Sequence, residues 1–237
     1  RSLASLRQAQ RQLIQSEKLA SIGRLAAGVA HELNNPLGGI LLYSNILLQQ
    51  LESRDEGESL QKVVAETERC RNIVKGLLDF SQQGSMQKQE VDLNQLLETT
   101  LNIVQKEVMF QNIKITKRLK HNLEWAHIDR LRIQQVLLNI LLNAAEALAG
   151  HGQIIITSGR EKDDVFLRIK DDGPGMLEAT KQRIFDPFFS TKPVGQGTGL
   201  GMAVAYGIIQ EHKGTITIDT QLGHGSSITI YLPIKIK

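Results

Sequence analysis

Gly195-Gln196-Gly197-Thr198-Gly199-Leu200-Gly201 leads straight into a segment of helical character, expected from about Leu200 to Glu211. A glycine loop feeding a helix N-terminus presents free N–H groups and the positive end of the helix dipole to an anion, typically phosphate. No Gly-Lys-Ser/Thr follows, so this is not a Walker loop. It lies near the end of the sequence, outside a parallel βαβ unit, so it is not a dinucleotide-binding fingerprint either. By itself the stretch is equally compatible with a flexible connection, and the segments upstream decide between the two.

Asp171-Asp172-Gly173-Pro174-Gly175-Met176 follows directly on a strand-like run, Val165-Phe166-Leu167-Arg168-Ile169. Glycines there let backbone approach a ligand closely, and the carboxylates can accept a hydrogen bond from an amino group. A plain Pro-Gly turn is the alternative. Farther upstream, Gln135, Asn139 and Asn143 repeat every four residues on one helix face flanked by leucines, with Glu146 one turn beyond. Polar groups in such places require partners. Either the asparagines form a hydrogen-bonded structural pair, or amide oxygen and phosphate together hold a hydrated Mg²⁺. Between the two glycine segments, Phe185-Asp186-Pro187-Phe188-Phe189-Ser190-Thr191-Lys192 gathers three of the six phenylalanines. An apolar cluster on a long loop has the character of a lid. Lys192 is placed to reach a terminal phosphate.

Around these segments the rhythm alternates between helix and strand. Asp92 is a candidate N-cap for a helix from Leu93 to about Met109, and Asp129 for one carrying Ile133, Val136, Leu137, Ile140 and Leu141. Ile113–Lys117, Ile154–Thr157, Val165–Ile169, Thr215–Ile218 and Ser227–Ile230 alternate like strands. Gly223-His224-Gly225 joins the last two as a hairpin. This order predicts an α/β sandwich over residues 92–237, one sheet with helices on a single face.

The sequence up to Gln83 differs. It holds one proline, Pro36, and its apolar residues recur at steps of three and four: Ile22, Leu25, Val29, Leu33, Ile40, Tyr43, Leu47, Leu51, then Leu60, Val63, Thr67, Val74, Leu77. These predict two amphipathic helices, the first of about 50 residues, longer than an unpartnered helix sustains. The polar stretch Ser53–Glu58, with Gly57, is expected as their tight connection. A lone hairpin offers too little core, so two chains are expected to associate as a four-helix bundle. Leu3, Leu6 and Leu13 place the end of a coiled coil over residues 1–20. The expected organisation is therefore α+β in two domains: a dimerising helical hairpin over 21–83, a linker over 84–91 and the sandwich over 92–237.

Composition narrows the function. Basic residues outnumber acidic ones 28 to 25, a net charge of +3, and they are dispersed among few aromatics, which argues against a nucleic-acid partner. The single cysteine, Cys70, excludes an intrachain disulfide framework and any cysteine-built zinc site. No apolar run approaches the ~18 residues needed to span a bilayer, and no signal peptide opens the sequence. No membrane contact is therefore expected of these residues. The first residue is Arg1 rather than Met, which reads as the soluble part of a longer protein.

In combination and in order, the Asn, Asp-Gly, Phe and Gly segments resemble the N, G1, F and G2 boxes of sensor histidine kinases, whose ATP-binding domain is shared with gyrase, Hsp90 and MutL. The resemblance runs from about Asp92 to Pro233. It implies the Bergerat fold, with ATP between the helix of Asn143 and a loop lid. Asp171 would meet the adenine amino group, Asn143 the Mg²⁺, and Gly197, Gly199 and Gly201 the phosphates, with Asn139, Gly173, Gly175, Lys192, Thr198 and Leu200 completing the ATP site. The ATP-hydrolysing members carry a glutamate one turn before the metal-binding asparagine; here that position is Asn139, and an amide cannot act as a general base.

His31-Glu32-Leu33-Asn34-Asn35-Pro36 lies in the long first helix. A zinc reading of His-Glu-x-x-His fails because the fifth residue is Asn35. The stretch resembles the H box, in the subgroup that reads His-Glu-x-x-Asn-Pro. The resemblance implies that His31 accepts the γ-phosphoryl group of ATP and passes it to an aspartate of a response-regulator receiver domain. It also implies a reverse activity in which Asn35 positions water to dephosphorylate the regulator. Glu32 is adjacent, close enough to take the proton from the other imidazole nitrogen. Pro36 removes one helical hydrogen bond and is expected to kink the helix beside His31. A homodimeric, cytoplasmic histidine kinase core is the expectation. The rivals are a hydrolytic ATPase and a non-catalytic docking scaffold.

Overall fold

The computed structural model describes Leu33 and residues 37–49, 54–81, 86–192 and 198–234. Residues 1–20, expected as the end of a coiled coil, the expected acceptor stretch His31, Glu32, Asn35 and Pro36, and Gly197 lie outside the described residues. The chain divides into two compact units, Arg1–Gly84 with Pro187–Leu200, and Ser85–Asp186 with Gly201–Lys237.

In chain order the elements are α1 (37–49), α2 (Arg54–Ser81), β1 (Lys88–Val91), α3 (Leu93–Val104), a 3₁₀ turn (Val108–Phe110), β2 (Ile113–Arg118), β3 (Ala126–Asp129), α4 (Arg130–Ala147), β4 (Gly152–Glu161), β5 (Asp164–Asp171), α5 (Glu178–Lys181), α6 (Gly201–Glu211), β6 (Thr215–Thr220) and β7 (Ser226–Pro233). The expected two-helix region is present in α1 and α2. Arg54–Glu58, expected within the connection, instead belong to α2, and Ser53 lies outside the described residues. An acid-rich stretch suits a helix N-terminus as well as a turn. Gly57 has open space around it and weakens the helix by only about 1 kcal/mol relative to alanine.

The second unit is built on a five-stranded sheet of order β2-β4-β5-β7-β6. Only β2 and β4 run parallel; the other neighbours are antiparallel. One face is buried. Along β4 it is Ile154, Ile156 and Ser158 that turn inward, and along β5 Val165, Leu167, Ile169 and Asp171. This is the period of two that places alternate side chains on one face. Helix α4 packs between α3 and α6 and supplies Ile133, Val136, Leu137, Ile140 and Leu141 to the core. The expected α/β sandwich is the observed architecture.

Both expected caps are formed. The Asp92 carboxylate accepts the N–H groups of Asn94 and Gln95, and that of Asp129 accepts those of Leu131 and Arg132. Helix α3 ends earlier than expected, at Val104 rather than near Met109. On a continued helix, Phe110 would lie six steps of about 100° past Val104, roughly 120° off the buried stripe. Breaking into a 3₁₀ turn returns Phe110 to the core, where it is 4% exposed. Residues 88–91, expected as the end of a linker, instead form β1 and pair antiparallel with β3. Val91, buried at the end of β1, anchors that pairing. No helix among the described residues is long and apolar enough to cross a membrane.

Candidate functional site

Asp171 closes the inward row of β5, after Val165, Leu167 and Ile169, and is 6% exposed. A carboxylate at the end of an apolar row is a misfit unless its oxygens are matched. Its Oδ1 accepts two backbone N–H groups, from Gly173 at 3.0 Å and from Ser226 at 3.1 Å. Burial dominates and pushes its pKa above the usual carboxylate value, with the Asp172 charge adding to the rise; the two N–H groups pull the other way. Asp172, one residue on, serves the loop instead: its Oδ1 accepts the N–H of Gln153 at 2.7 Å. Only the first of the two consecutive aspartates therefore enters the site.

The glycine loop after Asp171 is fastened to the β6–β7 turn. The carbonyl of Pro174 accepts the N–H of Gly223 at 2.7 Å, and the Thr220 hydroxyl accepts the N–H of Met176 at 3.0 Å. Gly175 sits at φ +68°, where an added Cβ would lie 2.0 Å from the Gln221 carbonyl oxygen. Gly225, at φ +80°, passes so close to β5 that its Cβ would lie 2.1 Å from the Asp171 carbonyl oxygen. The sequence places Gly225 in a hairpin turn only, and Thr220 and Ser226 carry no signal that marks them as part of the site.

On α4, Gln135, Asn139 and Asn143 form a half-buried stripe beside the fully buried one. Asn139 donates its side-chain amide to the carbonyl of Gly201, the first residue of α6, at 2.9 Å. That bond ties the first turn of α6 to α4. Asn143, one turn along, carries an amide oxygen of the hard type that Mg²⁺ accepts. Glu146 is exposed. Beside α4, Phe185 packs on Tyr206 of α6 with ring centroids 5.1 Å apart.

Within Pro187–Leu200, the Phe188 N–H donates to the Gly199 carbonyl at 3.0 Å. Gly199 has φ +66°, and a Cβ there would lie 2.4 Å from the Phe188 carbonyl carbon. Close approach of two backbone segments thus requires this glycine, a reason separate from phosphate contact. The Thr198 hydroxyl accepts the N–H of Leu200 at 3.3 Å, and Leu200 is buried. Lys192 is half-buried, its backbone N–H bonded to the Ser190 hydroxyl. A groove of about 510 Å³, lined by Arg168, Lys170, Thr217 and Asp219 and reaching the β6–β7 turn, opens on the outer face of the sheet. Lys170 precedes Asp171 and points to the opposite side, so the Asp171 side chain does not line this groove, although Thr220, Gly225 and Ser226 at its edge do.

A sheet covered on one face, a buried carboxylate ending its central strand, a glycine loop after it and an asparagine stripe on the covering helix define the ATP-binding domain class shared by histidine kinases, gyrase and Hsp90. The comparisons agree. Residues 128–236 match the family described as histidine kinase-, DNA gyrase B- and HSP90-like ATPase, and residues 21–86 match the His Kinase A (phospho-acceptor) domain. The signal transduction histidine-protein kinase AtoS of Escherichia coli (strain K12) is 39% identical over 98% of this chain and 38% of AtoS. The sensor histidine kinase ZraS of the same organism is 35% identical over 100% of this chain and 50% of ZraS. Among solved structures, the catalytic domain of histidine kinase ThkA shares 33% identity over 62% of this chain and 96% of that one, with a TM-score of 0.57. ThkA crystallised in complex with the response regulator protein TrrA gives a TM-score of 0.68 at 28% identity, over 98% of this chain and 67% of that one. The chain belongs to the sensor histidine kinases of two-component systems. It spans half or less of the length of these two curated relatives.

Proposed function

We propose that this chain transfers the γ-phosphoryl group of ATP to His31 and from there to an aspartate of a response-regulator receiver domain. The observation that carries the reading is Asp171, a buried carboxylate whose Oδ1 is held by two backbone N–H groups. Its other oxygen is left to accept the exocyclic amino group of adenine, with Gly173 and Gly175 letting the purine approach. The phosphates are assigned to Lys192, Gly197, Thr198, Gly199, Leu200 and Gly201, where the N-terminus of α6 supplies free N–H groups and positive potential.

Asn143 would hold Mg²⁺ through its amide oxygen. That ion, when bound, offsets charge developing on the phosphates. Asn139 has no carboxylate to activate water, and its amide is engaged with Gly201. Both facts favour delivery of the phosphoryl group to an acceptor over hydrolysis. The neutral His31 imidazole attacks the γ-phosphorus; the N–P bond forms as the bridging P–O bond breaks and ADP leaves. Glu32 takes the proton from the other ring nitrogen. Asn35 positions the water that hydrolyses the regulator's aspartyl phosphate.

The working unit is a homodimer. Ile40, Tyr43 and Leu47 follow one another at steps of three and four along one stripe of α1. All are well exposed, from 47% at Ile40 to 67% at Tyr43, and a second copy would cover them as a four-helix bundle. Incubation with γ-labelled ATP tests the whole scheme. Acid-labile, alkali-stable label is expected on His31, with His31→Gln unlabelled yet still binding ATP; label persisting on that variant defeats the assignment.

A further inference from the structure

We infer that Thr220 is a positioning residue for adenine recognition: by fastening the glycine loop and the β6–β7 turn together it fixes the Ser226 N–H that aims the Asp171 carboxylate, and so favours ATP over GTP. The inference rests on the reading of Asp171 as the adenine partner. The hydroxyl of Thr220, at the end of β6, meets three groups. It accepts the N–H of Met176 at 3.0 Å, donates to the Gly225 carbonyl at 3.0 Å, and lies 3.0 Å from the Ser226 hydroxyl. A hydroxyl has one proton and two lone pairs. With its proton on Gly225, the Ser226 hydroxyl donates to the remaining lone pair, and the capacity of Thr220 is filled.

The next link is direct. The N–H of Ser226 donates to Asp171 Oδ1 at 3.1 Å, so Thr220 stands one residue away from the group that orients the carboxylate. The Gly225 backbone has no room to retreat toward β5, given the 2.1 Å approach an added Cβ would make to the Asp171 carbonyl oxygen. Movement of the turn therefore alters the N–H that Asp171 receives. Holding Oδ1 directs the second oxygen at the base. Adenine offers an amino group there, whereas guanine offers a carbonyl that a carboxylate repels. Loosening the turn broadens the carboxylate's orientation and removes one of the N–H groups that favour its ionised form. The neighbouring charge facing it, Asp172, stays in place.

Thr220→Val keeps the shape and removes the hydroxyl. In titrations of the full chain, its ATP affinity is expected to fall roughly tenfold, as for removing one partner of a satisfied, part-buried network. GTP affinity should fall less, so the ATP/GTP ratio narrows. The acid limb of ATP binding should move to higher pH, and Thr220→Ser should restore both. An unchanged ratio together with an unchanged acid limb overturns the inference even if the variant melts earlier. Should Thr220→Val fail to fold, Ser226→Ala removes one of the three contacts and is expected to shift both readouts less, in the same direction; no shift overturns the inference equally. Failure of the Asp171 reading looks different: the wild-type chain does not bind ATP, or Asp171→Asn binds it as tightly as wild type.

Discussion

Nε2 of His212 accepts the backbone N–H of Asp129 at 2.9 Å, while its Nδ1 bonds the Ile208 carbonyl at 2.7 Å. One imidazole, 2% exposed, thereby ties the end of α6 to the last residue of β3 and the cap of α4. Both bonds are satisfied only by the neutral ring protonated at Nδ1. Burial is the main reason its pKa lies below the ordinary 6.5. The charges of Lys88 and Arg132 push it the same way, against the Ile208 carbonyl and Asp129.

A pH dependence follows from the sign. The unfolded chain takes up a proton at His212 more readily than the folded one, so this contribution is complete above about pH 6.5 and is lost as pH falls below it. Urea midpoints measured from neutral pH down to about pH 5 should decline, and His212→Phe should flatten that slope. The same variant leaves the Asp129 N–H without its acceptor and is expected to lose about 1–3 kcal/mol at neutral pH. An equally steep slope in the variant would remove His212 from the explanation.

Asp171 carries the opposite sign. Its folded pKa is raised above 3.8, so stability is fully present below that value and is lost as pH rises through the folded pKa and a buried charge is created. Asp171→Asn retains an oxygen for the Gly173 and Ser226 N–H groups while removing that charge. It should melt no lower than wild type near neutral pH, yet lose ATP affinity by at least about tenfold. Calorimetry on the one protein pair checks both halves.

Two glycines with similar backbone angles should respond very differently to alanine. At Gly175 the added Cβ meets the Gln221 carbonyl oxygen at 2.0 Å, whereas at Gly223, φ +80°, nothing lies within 4 Å. Gly223→Ala should therefore lose only the left-handed penalty of about 1 kcal/mol. Gly175→Ala should lose that and several kcal/mol more, of the order seen for strained or overpacked sites. Comparable denaturation midpoints would show that the loop relaxes freely away from the β6–β7 turn.

Ile40→Glu places a charge in the exposed apolar stripe of α1. If a second copy covers that stripe, sedimentation should show the equilibrium shifting toward monomer by about 2 kcal/mol or more, the penalty of an unpaired charge at an apolar interface. An unaltered dimer would place the contact on another helical face.

Much of the fold was legible because its signals are short-range. Asp92 and Asp129 cap helices through N–H groups two and three residues away, and strand alternation is a property of consecutive side chains. The elements missed or misplaced depend on distant partners. β1 exists only because Ala126–Asp129 lies beside it. The end of α3 is decided by where Phe110 finds its pocket, and Arg54–Glu58 carry a composition that a turn and a helix start share. At the site, the Asp-Gly loop and the asparagine stripe were readable, but the groups that hold them were not.

The order of residues alone determined a helical region followed by a one-sided α/β layer, because periodicity and caps act among near neighbours, while the boxes took their meaning from their resemblance to a known family. Only the tertiary structure decided which of two adjacent aspartates turns inward, since a strand sends successive side chains to opposite faces. It alone also brought Ser226 to Asp171 across 55 residues and Gly201 to Asn139 across 62. Contacts over such separations form when packing closes the sheet and its helices together, and no local pattern in the chain encodes them.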